Sequence, residues 1–403
     1  MRILFAFVGG RGHLEPLLPI AAAAAAAGHE VAFAGQAAMA AEVEAESFTA
    51  FAAGPPTLRT TKAPLLVPDQ AFEDGVVRDH FAGTIARGRA EDLIALGQRW
   101  PPDLIVADQM DFGALLAAER LGVPRAIVGV IASGVFGGAD LVGDTLNGLR
   151  AELGLAADPD MAMLERDLVL LPIPPRFLSP TAKMSPTTHF IRPAVLEPAA
   201  APMSPARRDR PLVYVTLGTI FNLESGDLFA RAISAVRDLA VDVIVTIGPH
   251  LDPLELGAQP ANVRIVPFIP QATILPDCDV VVCHGGSGTV IGALCYGVPL
   301  VLLAMGADQL HNAERAATLG VAIALDVITA TVDDIGSAVL TLLSDPIYRE
   351  RARAFREEAA GLPDARHTVG LLEALVERRG RPVRVRTLSP DEWALLRDVR
   401  LRA

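Results

Sequence analysis

The chain has 403 residues, is 51% hydrophobic but only 5% aromatic, and carries a formal net charge of −12. That length exceeds one ordinary core and implies two domains, and the acidic balance argues against nucleic acid or an anionic membrane surface as the main partner. Cys278, Cys283 and Cys295 fit neither a disulfide framework nor metal-ligand spacing and read as buried reduced thiols. The apolar start MRILFAFVGG has no A-x-A cleavage site, and no apolar run reaches about 18 residues, so a cytoplasmic enzyme without a membrane span is expected.

In chain order, Ile3–Val8 reads as a buried strand and Leu14–Ala27 as a helix, with Leu14, Leu17, Leu18 and Ala21 on one face and Gly28 just past its end. Val31–Ala34, Leu104–Ala107 and Arg125–Val130 read as strands, with a helix at Phe112–Leu121. Such alternation implies a parallel, doubly wound sheet. Ten prolines between Pro172 and Pro211, with little periodicity, mark an interdomain connection. Alternation resumes with strands at Leu212–Leu217, Asp242–Ile247, Val263–Val266, Val280–Cys283 and Pro299–Leu303, and a helix at Leu228–Leu239. The expected fold is α/β, with two Rossmann-like domains facing each other across a cleft: residues 1–200 with a linker at about 172–211, residues 211–379, and a basic tail at 380–403. Arg378–Arg402 holds eight arginines against three acids and reads as a solvated tail, although PVRVRTLSPDEWALLRDVRLRA also resembles the opening strand and helix of a GNAT acetyltransferase.

Chemistry concentrates in VVVCHGGSGT, where a β-branched strand runs through a glycine-rich loop into an apolar helix. Backbone N–H groups and a helix N-terminus converge there on an anion, with Gly286 and Gly288 admitting close approach and His284, Ser287 and Thr289 able to add side-chain hydrogen bonds. The loop therefore reads as a diphosphate cradle. A second loop, Met305 to Asn312, leaves the next strand and should face the same crevice; Asp308 and Gln309 suit sugar hydroxyls, so a nucleotide-sugar donor is expected. Phe268 could stack on a nucleobase while backbone near Ile269 reads its edge, and Thr219 could reach a phosphate or the incoming acceptor.

In the first half, Gly9-Gly10-Arg11-Gly12-His13 leaves the first strand. As a dinucleotide loop it fits poorly: Glu15 stands at the third glycine position and Ala34-Gly35-Gln36 lacks the ribose-binding acid. His13 is instead expected at a helix N-terminus facing the cleft, which favours the neutral imidazole that accepts a proton. Asp108, at the end of its strand, could fix the tautomer of His13, and Asp111 is a rival partner. Asp277-Cys278-Asp279 is formally a metal-binding D-x-D, but lies roughly 16 Å from the cradle at about 3.3 Å per strand residue, so no metal ligand is assigned. Segments Gly54–Asp79 and Ser133–Leu155, with Phe72, Phe81 and Phe136, would wall a hydrophobic acceptor site.

The stretches RGHLEPLLPIA, PLVYVTLGT, PQATIL and VVCHGGSGTVIGALCYGVPLVLLAMGADQLHNAERAATLG resemble family 1 glycosyltransferases of the GT-B fold, and within them actinobacterial enzymes that decorate macrolides and enediynes. The resemblance implies inverting, metal-independent transfer of a sugar, a deoxysugar in such enzymes, from a TDP or UDP donor to a hydroxyl of a small hydrophobic aglycone, without a cofactor. It makes residues 1–200 the acceptor domain and 211–379 the donor domain, with the last helix packing back on the first. It makes His13 the base and Asp108 its partner. It puts His284, Gly286, Ser287, Gly288, Thr289 and Thr219 on the diphosphate, Phe268, Ile269 and Gln271 on the base, and Asp308 and Gln309 on the sugar. Two departures stand out: Phe268 where tryptophan is frequent, and Cys283 where a second histidine is common. A monomer or homodimer is expected. The competing readings are a nucleotide-sugar epimerase, a non-catalytic sugar-nucleotide-binding auxiliary protein and, most weakly, an NAD-dependent dehydrogenase.

Overall fold

A computed structural model describes residues 1–58, 61–197, 209–218 and 221–380; Thr219 and the basic tail from 381 onward lie outside the described residues. The first sheet contains β1 (Arg2–Ala6), β2 (Glu30–Gly35), β3 (Thr49–Ala52), β4 (Leu104–Asp108), β5 (Arg125–Val128), β6 (Leu168–Leu171) and β7 (Thr188–Phe190), in the order β3-β2-β1-β4-β5-β6-β7. The second contains β8 (Leu212–Thr216), β9 (Asp242–Thr246), β10 (Val263–Val266), β11 (Val280–Cys283), β12 (Leu300–Leu302) and β13 (Ala322–Ala324), in the order β10-β9-β8-β11-β12-β13. The described pairings in both sheets are parallel. This is the doubly wound two-domain α/β architecture expected from the alternation.

The strands are aliphatic on both faces because helices cover both faces of each sheet. Along β1, Leu4 and Ala6 enter one apolar layer while Ile3 and Phe5 enter the other. Along β8, Leu212 and Tyr214 point to one side, Val213 and Val215 to the opposite one. The three cysteines are buried free thiols, with burial pushing the Cys283 thiol up to about 12. No helix of the described residues is long and apolar enough to cross a membrane.

Two sequence expectations are corrected, and one helical run carried no sequence reading. The single helix Leu14–Ala27 is two helices, Arg11–Leu14 and Leu18–Ala26. Pro16 and Pro19 interrupt the backbone ladder, and Pro19 is tolerated in the first turn of the second helix, where its missing N–H costs nothing. The proline-rich stretch 172–211 is not a connection throughout. Thr188–Phe190 pairs in parallel with β6, and Phe177 is buried in the core of the second domain, its ring 6.2 Å from that of Phe355. The long helical run from Gln70 to Arg99 escapes propensity reasoning because Gly75, Gly83, Gly88 and Gly97 dilute its periodicity. One nearby glycine has a packing reason: a Cβ on Gly113 of Phe112–Leu121 would stand 2.4 Å from the Arg89 Cβ of the adjoining helix.

The chain crosses back to the first domain at its end. The helix Ala365–Gly380 packs on Leu18–Ala26, and Leu372 and Leu375 share a core with Ile3, Phe5, Leu14 and Ile20. His29 Nε2 approaches Glu373 Oε1 at 3.2 Å on the rim of this contact. Leu372 is fully buried. Leu372→Ala should cost about 3 kcal/mol by lost transfer energy and cavity formation, read as a lower midpoint in urea unfolding with an unchanged slope.

Candidate active site

Parallel strands send their carboxyl ends to one edge, and loops beyond those edges meet where the Ala132 N–H reaches Ser287 and Arg11 stands over Phe268. At the second edge, β11 passes through His284, Gly285 and Gly286 into the helix Ser287–Cys295. The His284 ring is held between two glycines: a Cβ on Gly218 would come within 2.7 Å of the ring, and one on Gly286 within 2.5 Å of Nε2. Gly218 also has φ +74° and Gly285 φ +87°, backbone conformations that other residues rarely adopt. Burial holds the His284 imidazole down at about 4, opposed by the Thr216 backbone, so the ring of the free protein is neutral at neutral pH. Gly286 gives the helix no side-chain cap, and the first helical bond at its start runs from the Val290 N–H to the Gly286 carbonyl at 3.1 Å. The N–H groups of Ser287, Gly288 and Thr289 precede it and are oriented for an anion.

The hydroxyls in this loop are placed differently from the sequence reading. Thr289 is buried, and its Oγ1 accepts from Gln271 Nε2 at 2.9 Å. Ser287 Oγ donates to Asp308 Oδ2 at 2.5 Å and accepts from the Ala132 N–H of the first domain at 2.7 Å. The Ser287 proton is therefore committed to Asp308, whereas Thr289 only accepts from Gln271 and keeps its own proton. Gln271 correspondingly supports the loop through Thr289.

Asp308 precedes the helix Gln309–Thr318 without capping it. Its carboxylate is held by Ser287 and by Asn312 Nδ2 at 2.8 Å, while burial raises its pKa against those hydrogen bonds. Asn312, fully buried, also donates to the Gly285 carbonyl at 3.0 Å and so ties the two loops together. Sequence reasoning assigned it no role; its position four residues after Asp308, one helical turn on, is the signal that could have found it. Gln309 is only 1% exposed, and its Oε1 accepts from the Met305 N–H at 2.8 Å. The structure thus gives Gln309 the task of holding its own loop, and Asp308 is the polar group left toward the cleft.

At the facing edge, Asp108 closes β4 fully buried and accepts from the N–H of Val8 at 2.7 Å and of Met110 at 2.6 Å. His13 Nδ1 lies 3.3 Å from Asp108 Oδ1, an ion-pair approach without hydrogen-bond alignment. Gly9 leaves room for the ring, since a Cβ there would stand 3.0 Å from His13 Cδ2. The expectation of a helix-depressed, neutral His13 is overturned. Burial lowers its pKa, but the carboxylates of Asp108, Asp308 and Asp111 together outweigh it and raise the value above the ordinary imidazole range. The helix end is too weak to compete, because Arg11–Leu14 is a single turn. Asp111 is not a direct partner of His13: it pairs with buried Arg89 and caps its helix through the Ala114 N–H at 3.0 Å.

Phe268 is 50% exposed, and the Arg11 guanidinium of the first domain stands over its ring at 5.5 Å, while Ile269 beside it is buried. A cavity of about 850 Å³ opens between Arg11, Gly12 and Pro16 on one side and Pro270, Ser287 and Gly288 on the other. Asp279, at the far end of β11, accepts from the Leu212 N–H at 2.8 Å and pairs with Arg349 at 2.8 Å, a structural position away from this cleft.

The chain is similar to known proteins in sequence and fold. Residues 230–375 match the family model for the erythromycin biosynthesis protein CIII-like C-terminal domain. The chain is 29% identical to 4'-demethylrebeccamycin synthase of Lentzea aerocolonigenes over 93% of its length and 99% of that protein. It is 28% identical to aclacinomycin-T 2-deoxy-L-fucose transferase of Streptomyces galilaeus, over 95% of its length and 98% of that protein. The crystal structure of glycosyltransferase VinC in complex with dTDP superimposes with a TM-score of 0.74 and 27% identity, covering 94% of this chain and 100% of that one.

The three-carboxylate account of His13 is checked by Asp108→Asn, in which the amide keeps an acceptor for the backbone but removes the leading charge. The His13 imidazole should then titrate lower than in the unchanged protein, followed by its Cε1–H resonance against pH; an unchanged or higher value would contradict the assignment.

Proposed function

We propose that this chain, with its two facing parallel α/β domains, is a glycosyltransferase that transfers a deoxysugar from a thymidine or uridine diphosphate donor to a hydroxyl of a small hydrophobic natural-product aglycone, with inversion and without a metal ion. The observation that carries this reading is the opposition of two imidazoles with opposite tuning. His13 pairs with Asp108 on the first domain, and neutral His284 lies beside an uncapped helix start on the second.

In this reading, the diphosphate lies on the N–H groups of residues 287–289, with His284 donating to its oxygens. The cleft volume falls in the range of small-molecule sites, about 300–1,000 Å³. Phe268 offers a half-open ring face to the nucleobase, and Asp308 meets the sugar hydroxyls. Asp108 favours the proton on Nδ1 of His13, which leaves the Nε2 lone pair for the acceptor hydroxyl. As that proton moves to Nε2, the acceptor oxygen attacks the anomeric carbon from the face opposite the diphosphate. The carbon–oxygen bond to the diphosphate breaks, and its electron pair leaves with the phosphate oxygen. Preorganised N–H dipoles stabilise the charge developing on the leaving group. Exposed Phe72 supplies apolar surface for an aglycone in one of the two segments expected to wall its site, while Phe136 of the other is buried in the core. One of the named relatives is a 2-deoxy-L-fucose transferase, which supports a deoxysugar as the group transferred.

His13→Ala should lower transfer by about 10² to 10⁴, the usual contribution of a general base, while dTDP affinity measured by calorimetry stays within about twofold. Turnover near the original rate would remove His13 from the mechanism. Because the neutral form of His13 is the competent one and its pKa is raised, transfer should fall as pH drops through that raised value, an acidic limb lying above the ordinary histidine range. Saturating EDTA should leave the rate unchanged; strict dependence on a divalent cation would overturn the metal-independent mechanism.

A further inference from the structure

The Ser287 hydroxyl has one proton to give and two lone pairs to share, and all three positions are filled. It donates to Asp308 Oδ2 at 2.5 Å, and accepts from the Ala132 N–H at 2.7 Å and from Asn312 Nδ2 at 3.1 Å. Two of these partners belong to the loop that carries Asp308. The third belongs to the other domain. Ala132 follows β5, whose Val128 is register partner to Asp108 in β4, so the Ala132 N–H is fixed to the same sheet edge that presents the His13–Asp108 pair.

We propose that Ser287 is a positioning residue that couples closure of the two domains to the placement of Asp308, in place of a role as phosphate ligand. With the domains closed, the Ala132 N–H occupies a lone pair of Ser287, and the hydroxyl proton is thereby directed onto Asp308. With the domains apart, that lone pair goes to water and the hydroxyl is free to rotate. Asp308 is then held firmly by Asn312 alone, and with its domain moved away its charge no longer bears on His13. One hydroxyl therefore reports to the donor loop that the base has arrived. The stacking of Arg11 on Phe268 at 5.5 Å is a second interdomain contact in the same cleft, so closure persists in part without Ser287, and a variant lacking the hydroxyl samples more open states instead of falling apart. The inference rests on the proposed function only in reading Asp308 as the sugar contact; the coupling itself is a property of the free protein.

The test compares the full chain with Ser287→Ala and Ser287→Thr, each alone and with dTDP. Ser287→Ala should bind dTDP within about twofold of the original protein by calorimetry, because the phosphate sites are backbone N–H groups. Its closed population should fall by roughly two- to tenfold, the effect of losing one neutral interdomain hydrogen bond, seen as a larger radius of gyration in small-angle scattering. The His13 resonance should titrate at lower pH, a shift that a merely structural defect would not produce. Ser287→Thr, which keeps the hydroxyl, should restore all three readings. Ser287→Cys, with a weaker hydrogen-bonding group in the same space, takes the same measurements should alanine impair folding, and should give an intermediate shift.

A loss of dTDP affinity of tenfold or more in Ser287→Ala, with unchanged scattering, would make Ser287 a phosphate ligand and overturn the proposal. Identical scattering and His13 titration in all variants would overturn it equally. If none of the proteins binds dTDP, the nucleotide reading is what fails, and the radius of gyration and His13 titration of the free proteins still decide the coupling.

Discussion

Both sheets are parallel, and a parallel sheet delivers the ends of all its strands to one edge. That constraint makes everything else possible here. β4 and β5 bring Asp108 and the loop holding Ala132 to one edge; β11 and β12 bring His284 and the Asp308 loop to the other. Because the central strands are buried on both faces, their side chains serve the core except at strand ends such as Asp108. Polar function is forced into the loops beyond the strand ends, and two such loop sets face each other across the cleft.

The electrostatics then divides the labour between two histidines. Both are largely withdrawn from solvent, and desolvation alone would depress both. At His284 desolvation prevails, because the ring packs between glycine backbones with no carboxylate beside it. At His13 the balance reverses, because Asp108, Asp308 and Asp111 converge on it. A neutral hydrogen-bond donor therefore stands where a leaving diphosphate would be met, and a group stabilised in its protonated form stands where a proton would be received. The asymmetry follows from neighbours, since the two residues are chemically identical. Asp308 links the two halves: it belongs to the second domain, yet it contributes to the raised pKa of His13.

Much of this was legible in the chain. The VVVCHGGSGT pattern announces strand, loop and helix because glycine and β-branched residues report directly on local backbone, and helix Phe112–Leu121 ends at Gly122 for the same reason, in a left-handed conformation of φ +72°. What was not legible depends on partners distant in sequence. Nothing near Ser287 reveals that its hydroxyl meets an N–H 155 residues earlier, or that Thr289 is taken by Gln271. The raised pKa of His13 has the same origin, since it depends on carboxylates from two segments distant from it in sequence. Short strands such as Thr49–Ala52 and Thr188–Phe190 carry too few residues for a periodic signal, and both sit at the edges of their sheet.

The central claim is that a nucleoside diphosphate docks on the uncapped start of helix Ser287–Cys295 and faces His13 across the cleft. A crystal structure of the full chain with dTDP tests it most directly. The account predicts phosphate oxygens within hydrogen-bond distance of the N–H groups of residues 287–289 and of His284, with the Ser287 hydroxyl still on Asp308. A diphosphate seated instead on the Gly9–Gly12 loop of the first domain would contradict it.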